Sequence, residues 1–581
     1  MKDHLSKAFG FLKKNYIPVI FVAVYAAVAI ALVLVSWREL FDRLSFETKD
    51  VANYDGGLYF TVGHGIAEGV APYSGLYENK GPMIFLLSAL SYKLFGNYRL
   101  LNYLSFLCFS SMLVLPIAFT AVAVKRNGAR YYSIISSLTA VAAFSILLTD
   151  FSQGNSEAVQ IEAFGTAFTL AAILCCYLIN GRKTSKFYSP QVILCGLFVA
   201  IATAFKEPFA IVCAVSILFF VHTKEDILYR ILFPALWCVV TFAAILAISG
   251  AFGSYFTVYL SNMFSLHLNI YGSPWERTLD FGRLYSYFNS FSHFLPVTAI
   301  VFAIVCGVKE LSFNYARNPV LNAVFKLICM LKPFLAFYAA SFVVGLGGQY
   351  YNHHYVFAVG LFFAMLFSTV DFITKRTAGE PSLGYVFKEL KSAFTEKRAA
   401  DRAKEAENGS RTAYKIIARY ASVSAAFAMT VALIFSISAP REYEKLFEKT
   451  IEGVQSVYAD AAYVDAVLDA LDKDTYLYLG FNGYTPCAYT KHLPSGPCFA
   501  QDKNNFTSTE TYFAKKFVEQ IESVDVIVFS YLNVGQLNDY VRNYLAENFT
   551  TARPSALDNA AIDKPKSFRY STYFRKTAFA F

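Results

Sequence analysis

The sequence predicts an α-helical polytopic membrane protein of about eleven spans, with a small α/β domain at its C-terminus. Three observations predict it. The 581 residues are 56% hydrophobic and only 16% charged, with a mean hydropathy of +0.41, outside the range of ordinary soluble domains. Apolar runs long enough to cross a hydrocarbon core alternate with short Lys/Arg clusters. From about Arg441 the composition changes to that of a soluble domain.

The N-terminus carries Lys2, Lys7, Lys13 and Lys14 ahead of an apolar run from about Tyr16 to Val35. That run is too long for a cleavable signal, and its basic flank places the N-terminus in the cytoplasm and Asp55 outside. Further runs lie near Leu100-Val124, Tyr131-Thr149, Ala158-Ile179, Val192-Phe205, Pro208-Val221, Ile231-Ser249, Phe291-Val308, Pro333-Gly347, Tyr355-Thr374 and Ala418-Ala439. The basic clusters between them, such as Lys125-Arg126 and Lys224 to Arg230, read as cytoplasmic loops. Pro82 to Phe95 is short for a span, and counting it as one would invert every later basic loop. It reads as a juxtamembrane or re-entrant helix on the outer face. Residues 1–440 then form the transmembrane domain, with outer loops at about 38–98 and 251–290, and residues 441–581 an extracytoplasmic domain. In that domain Tyr443-Val457 and Ala462-Leu471 are helix-like, and Thr475-Leu479 and Val524-Phe529 strand-like.

Composition also excludes. The net charge of +9 is spread over loop clusters rather than one basic stripe, so nucleic acid is not an expected partner. No phosphate-cradling Gly-rich signature occurs, which points away from a cytosolic nucleotide-fed reaction and toward a lipid-borne substrate. Eight of the ten cysteines lie in or beside apolar runs as small hydrophobes. Cys487 and Cys498 flank a Pro/Gly-rich stretch and are either a disulfide or two free thiols. His353 and His354 are adjacent and would point apart on a helix, so a classical zinc site is not expected.

The residues that interrupt apolar sequence converge on the outer face. They are the acids Asp55, Glu78, Asp150 and Glu157, with Lys80, Lys206, Arg277 and Arg283 as cations. Such residues are costly near lipid and are functional candidates for that reason. A group transfer needs this pairing: a carboxylate accepts the proton of an attacking hydroxyl, and cations or a divalent metal neutralise a phosphate leaving group. Each residue also has a structural alternative. An outer acid can be solvated or salt-bridged, Lys206 can snorkel and pair with Glu207, and the aromatics around Arg277 can be interfacial anchors.

Asp55 soon after the first span, Gly69-Val70-Ala71-Pro72-Tyr73, Glu78-Asn79-Lys80-Gly81-Pro82 and a helix ending Leu94-Phe95-Gly96 resemble the first outer loop of the GT-C class glycosyltransferases. The bacterial branch with protein mannosyltransferase-like enzymes and the lipid A aminoarabinose transferase is the most similar. The resemblance continues through Gly154-Asn155-Ser156-Glu157, Lys206, His354-Tyr355 and the terminal α/β domain. It implies a GT-C-like multi-pass enzyme of the cytoplasmic membrane that moves a hexose or pentose from a polyprenyl-phosphate donor, with inversion, to a hydroxyl of a glycan, lipid or protein acceptor outside. By this resemblance Asp55 is the general base, and Glu78 and Glu157 are acids supporting acceptor or metal, with Asp150 a possible substitute. Lys206 lies near the donor phosphate, where Lys80, Arg277 and Arg283 are further candidates, and His354 and Tyr355 are additional site candidates. Gly56 stands where relatives often carry a second acid, so a divalent metal (Mg, Mn or Ca), if held, falls to Asp55, Asp150 and Glu157.

Two other classes fit a polytopic aromatic chain. A transporter or flippase of lipid-linked sugars predicts ionisable residues near the bilayer midplane and repeated halves. A lipid-linked oligosaccharide polymerase or ligase predicts a strongly basic large outer loop, and 251–290 is only modestly basic.

Overall fold

The computed structural model describes residues 20, 22–38, 54–128, 131–151, 159–179, 186–264, 278, 280–291, 295–311, 313–346, 352–377, 458–479, 486–497, 512–529, 539–566, 568 and 570–581. The expected span at 418–439, all but the first residues of the charged segment 375–415 expected in the cytoplasm, the helix expected over 443–457, and Glu157, Arg277 and Cys498 lie outside these residues.

The helical part is built from α1 (Val22–Arg38), α2 (Tyr54–Ala67), α3 (Pro82–Phe95), α4 (Arg99–Asn127), α5 (Tyr131–Phe151), α6 (Ile161–Leu178), α7 (Pro190–Phe205) and α8 (Pro208–Leu218). It continues with α9 (Lys224–Ile248), the helical stretch α10 (252–262), α11 (Phe281–Phe291), α12 (Leu295–Glu310), α13 (Pro319–Met330), α14 (Lys332–Leu346) and α15 (Phe357–Thr377). Among the described residues, five helical segments are long and apolar enough to cross a membrane: α4, α6, α9, α13 with α14, and α15 with the turn before it. The expected count of about eleven is not confirmed among these residues: the span expected at 418–439 lies outside them, and some of the other predicted spans are short helices. The 11 residues of α8 rise only about 16 Å, roughly half the hydrocarbon thickness. The helix predicted at Pro82–Phe95 is present with those bounds, opened by Pro82 and ended by Gly96 in the left-handed region (φ 61°).

The bundle has two chemically different ends. Helices α6, α8 and α15 run in parallel and pack on one another. Their C-terminal ends are ringed by cations that satisfy carbonyls left over by the helices. Arg126 donates to Tyr177 O (2.7 Å) and Leu178 O (2.8 Å), Arg230 to Ile179 O (2.9 Å), and Lys332 to Val221 O (3.0 Å). Glu310 is fully buried at this end, between Lys332 (3.2 Å), Lys309 (3.7 Å) and His222 (3.6 Å). Burial opposes its charge, but these neighbours outweigh burial and hold its carboxyl down at about 2. At the opposite end lie the N-terminal turns of the same three helices, with Asp55, Glu162, Lys206 and His354.

Helices α2 and α3 lie side by side in the same direction, with Tyr59 against Phe85 and His64 stacked on Tyr92. Gly63 makes the approach possible: a Cβ there would stand 2.3 Å from Ser88 Cβ and 2.6 Å from the Ala89 backbone nitrogen. Gly63→Val is expected to force the pair apart and to cost about 1–3 kcal/mol. A lowered unfolding temperature of the detergent-solubilised protein reads this, and an unchanged one contradicts the close packing.

The C-terminal part adds α16 (458–470), β1 (Thr475–Leu479), β2 (Leu493–Pro494), α17 (Tyr512–Ser523), β3 (Val526–Phe529), α18 (Asp539–Asn548), β4 (Phe549–Thr550), α19 (Ser555–Asn559) and β5 (Ser571–Arg575). The strand order is β2-β1-β3-β5-β4, with β1 parallel to β2 and β3, and β5 antiparallel to β3 and β4. Alternation along β1 divides its side chains between two cores. Leu477 and Leu479 face Phe517, Ile521, Val541 and Leu545, whereas Tyr476 and Tyr478 face Val464, Val467 and Leu468. Helices cover both faces, as the expected α/β module requires. Cys487 is a buried thiol that burial pushes up to about 12.

Candidate active site

Asp55 lies in the first turn of α2. The start of this helix is fixed from outside. Tyr98 donates its hydroxyl to Gly56 O, and a Cβ on Gly57 would meet Ala488 of the C-terminal domain at 3.7 Å. Tyr59, one helical turn on and fully buried, directs a phenol without a hydrogen-bond partner among the described residues into the field of Asp55, Glu162 and Glu78.

The loop after α2 delivers Glu78 and Lys80. Tyr73 sits at φ 67° and is held there from three sides. Its N–H donates to Leu76 O (2.8 Å), its hydroxyl donates to Lys80 O (2.9 Å), and its ring is enclosed by Tyr77, Phe85, Tyr255 and Tyr259. Lys80 Nζ donates to Asn79 Oδ1 (2.5 Å) and Glu78 Oε1 (3.3 Å). Burial opposes the Lys80 charge, but Glu78, Asp55 and Glu162 outweigh it and hold this ammonium above its ordinary range. Glu78 is raised, first by burial and then by Asp55, against the opposing pull of Lys80. The carboxylates around this ammonium thus strengthen its hold on its proton, while burial and Asp55 disfavour the ionisation of Glu78.

Lys206 comes from the break between α7 and α8, where its extended backbone (φ −162°, ψ 131°) caps α7 and Pro208 opens the next helix. Its Nζ donates to Glu162 Oε1 (2.7 Å) and to His354 Nε2 (3.1 Å), and lies 5.3 Å from the centre of the Phe357 ring. The pairing with Glu207 that sequence proximity suggests is not formed in this way: Glu207 accepts from Tyr255 at 3.0 Å instead. Gly81 ties the Glu78–Lys80 loop to this break. It donates to Phe205 O (3.3 Å), and a Cβ on it would stand 2.1 Å from Ala204 O.

The structure brings Asp55, Glu78, Lys80, Lys206 and His354 to one end of the bundle. Tyr355 is buried in the hydrophobic core beside them. The end of α5, with the backbone of Asp150, belongs to the helix that contacts the turn carrying His353 and His354. Arg283 stands outside the cluster, exposed and paired with Asp280 (3.0 Å). Sequence reasoning missed Glu162, whose signal was an acid inside the apolar run Ile161-Glu162-Ala163-Phe164.

The expectation that His353 and His354 point apart is corrected. They lie on a 3-10 turn, Asn352–Val356, not in an α-helix. One donor atom from each and one from Glu162 all fall within 4.8 Å of one another, a set that could hold a metal ion. The Lys206 ammonium already contacts two members of this set, Glu162 (2.7 Å) and His354 (3.1 Å). Of the acids expected to hold a metal, only Asp55 has a described side chain.

The C-terminal domain closes over the same end. Tyr77 donates its N–H to Pro497 O (3.1 Å) and packs its ring against the core of Leu477, Leu479 and Phe529. Tyr489 and Leu493 pack against the α2 cluster. Both arms of the site, the start of α2 and the Tyr77–Lys80 loop, therefore rest on the sheet domain.

No protein-family model matches the chain, and no curated protein matches it in sequence. Among solved structures, the chain is similar to the Archaeoglobus fulgidus oligosaccharyltransferase, crystallised in complex with Zn and sulfate. The two share 14% identity and a TM-score of 0.40, over 88% of this chain and 67% of that one.

Proposed function

We propose that the chain is an integral-membrane glycosyltransferase of GT-C type, which transfers a sugar from a polyprenyl-phosphate donor to an acceptor hydroxyl on the outer face of the cytoplasmic membrane, with inversion. One observation carries the reading: a carboxylate at Asp55, electrostatically close to Glu78 and Lys80, shares one end of the bundle with a second ammonium at Lys206. Asp55 takes the proton of the acceptor hydroxyl as its oxygen bonds to the anomeric carbon. The bond from that carbon to the phosphate oxygen breaks on the opposite face, and polyprenyl phosphate leaves with the electron pair. Lys80 and Lys206 face the charge that develops there, and the N-termini of α6, α8 and α15 add a favourable field.

The sidedness rests on charge. Arg126, Arg230, Lys309, Lys332 and Lys375 lie at the other end of the helices, the arrangement that the positive-inside rule associates with the cytoplasm. The buried Asp, Glu and Lys of the helical part, among the described residues, lie at or near helix ends. This favours a transferase over a carrier with a midplane site.

The test is a transfer assay with the purified protein, a panel of polyprenyl-phosphate hexoses and pentoses, and glycan, lipid and peptide acceptors. Release of polyprenyl phosphate coupled to an inverted glycosidic bond is expected. Movement of intact lipid-linked sugar across a liposome bilayer, with no transfer in any combination, identifies a carrier and overturns the reading.

A further inference from the structure

We infer that the Lys206 ammonium takes, within a Glu162–His353–His354 cluster suited to a cation, the place of a divalent metal, so that the chain supplies this positive charge itself. Its catalytic meaning rests on the transferase reading; its geometry does not.

A lysine ammonium can only donate, so His354 Nε2 at 3.1 Å must offer its lone pair. That is the neutral tautomer which would ligate a metal. Glu162 Oε1 offers a second lone pair at 2.7 Å, and the Phe357 face lies 5.3 Å away on the ammonium. The side chains of Glu162 and His354 are 2% and 5% exposed, so water screens this pairing little. The second oxygen of Glu162, Oε2, is buried without a hydrogen-bond partner among the described residues, an acceptor left over after the ammonium is bound. Two imidazoles and a carboxylate form a zinc-type donor set. A dication a few ångströms from the ammonium would meet strong like-charge repulsion in this buried setting. Lysine and metal are therefore alternatives at this point, and the chain carries the lysine.

Two consequences are measurable. With the ammonium in place the wild-type cluster holds no zinc, so His354→Ala has none to lose. Removing the ammonium while keeping the donors opens the site to metal. The experiment is equilibrium dialysis against zinc chloride, with bound zinc counted by mass spectrometry, on the full-length wild type, Lys206→Met, His354→Ala and the double variant.

Lys206→Met is expected to gain about one zinc per chain that the double variant lacks, while wild type and His354→Ala hold equal, low amounts. A wild-type zinc that His354→Ala removes overturns the inference, as does a folded Lys206→Met that gains none. Should Lys206→Met not fold, the comparison of wild type with His354→Ala decides alone: equal zinc supports, excess in the wild type overturns. Zinc counting uses no sugar transfer, so a protein that passes it and fails every transfer assay loses the transferase reading and keeps this one.

Discussion

Asp55→Asn is expected to lower kcat for sugar transfer by about 10²–10⁴-fold, the range a positioned general base contributes, with little change in donor KM. Asparagine preserves the size of the side chain and is tolerated at the start of a helix, so the helix and its contacts with Tyr98 and Ala488 should survive. What disappears is the ability to take a proton from the acceptor. The substitution also removes a negative charge near Lys80, which leaves that ammonium with Glu78 and Glu162. A change in donor binding is thus expected to be small and favourable, because a phosphate meets less competing negative charge. Single-turnover kinetics with bound donor isolate the chemical step. A rate within about threefold of wild type, well short of the effect of losing a base, removes Asp55 from that role.

Gly81→Val is expected to have the second large effect, through position rather than chemistry. The backbone of Gly81 is ordinary (φ −68°, ψ 159°), so the demand for glycine is one of space. A Cβ would lie 2.1 Å from Ala204 O, 2.8 Å from Ala204 C and 2.9 Å from Phe205 O. All three are backbone atoms at the end of α7 and cannot swing aside. The loop carrying Lys80 must then withdraw from the break carrying Lys206. Misplacement by about an ångström at a reacting centre costs on the order of 10²-fold in rate, and the overpacking about 1–3 kcal/mol in stability. Gly69→Ala provides the contrast. That glycine has φ 87° and open space around it, so its cost is backbone strain of about 1 kcal/mol with transfer kinetics preserved. Equal kinetic losses in the two variants contradict a specific role for the Gly81 contact.

What the sequence disclosed depended on whether the relevant force was local. The bounds of α3 were legible because Pro82 and Gly96 punctuate its apolar run, and β1 because Thr475-Leu479 is a short run of β-branched, aromatic and apolar residues. Asp55, Glu78, Lys80, Lys206 and His354 were legible as ionisable residues at the edges of apolar sequence. Their shared end followed from the parity of the basic loops. The ligand set was not legible. Glu162 lies five positions beyond Glu157, on the helical side of the boundary, and only the packing of α6 against α8 and α15 shows that its carboxylate meets Lys206. Proximity in sequence suggested Glu207 as the partner, but the break between α7 and α8 sends the two side chains to different neighbours. His353 and His354 were read with α-helical geometry, and a 3-10 turn brings them together. The docking of Tyr77 into the sheet domain leaves no periodicity to read, as it is a contact between two separately patterned parts. Span number was legible in part: hydropathy identifies apolar runs, and among the described residues five helical segments have the length to cross alone.

The central claim, that this end of the bundle receives a polyprenyl-phosphate donor, is tested most directly by mass spectrometry of the lipid that stays bound when the protein is purified from membranes. A polyprenyl phosphate, or its sugar-linked form, is expected with the wild type and should be depleted in Lys80→Ala and Lys206→Met. Bilayer phospholipid alone, retained equally by wild type and both variants, would contradict the account.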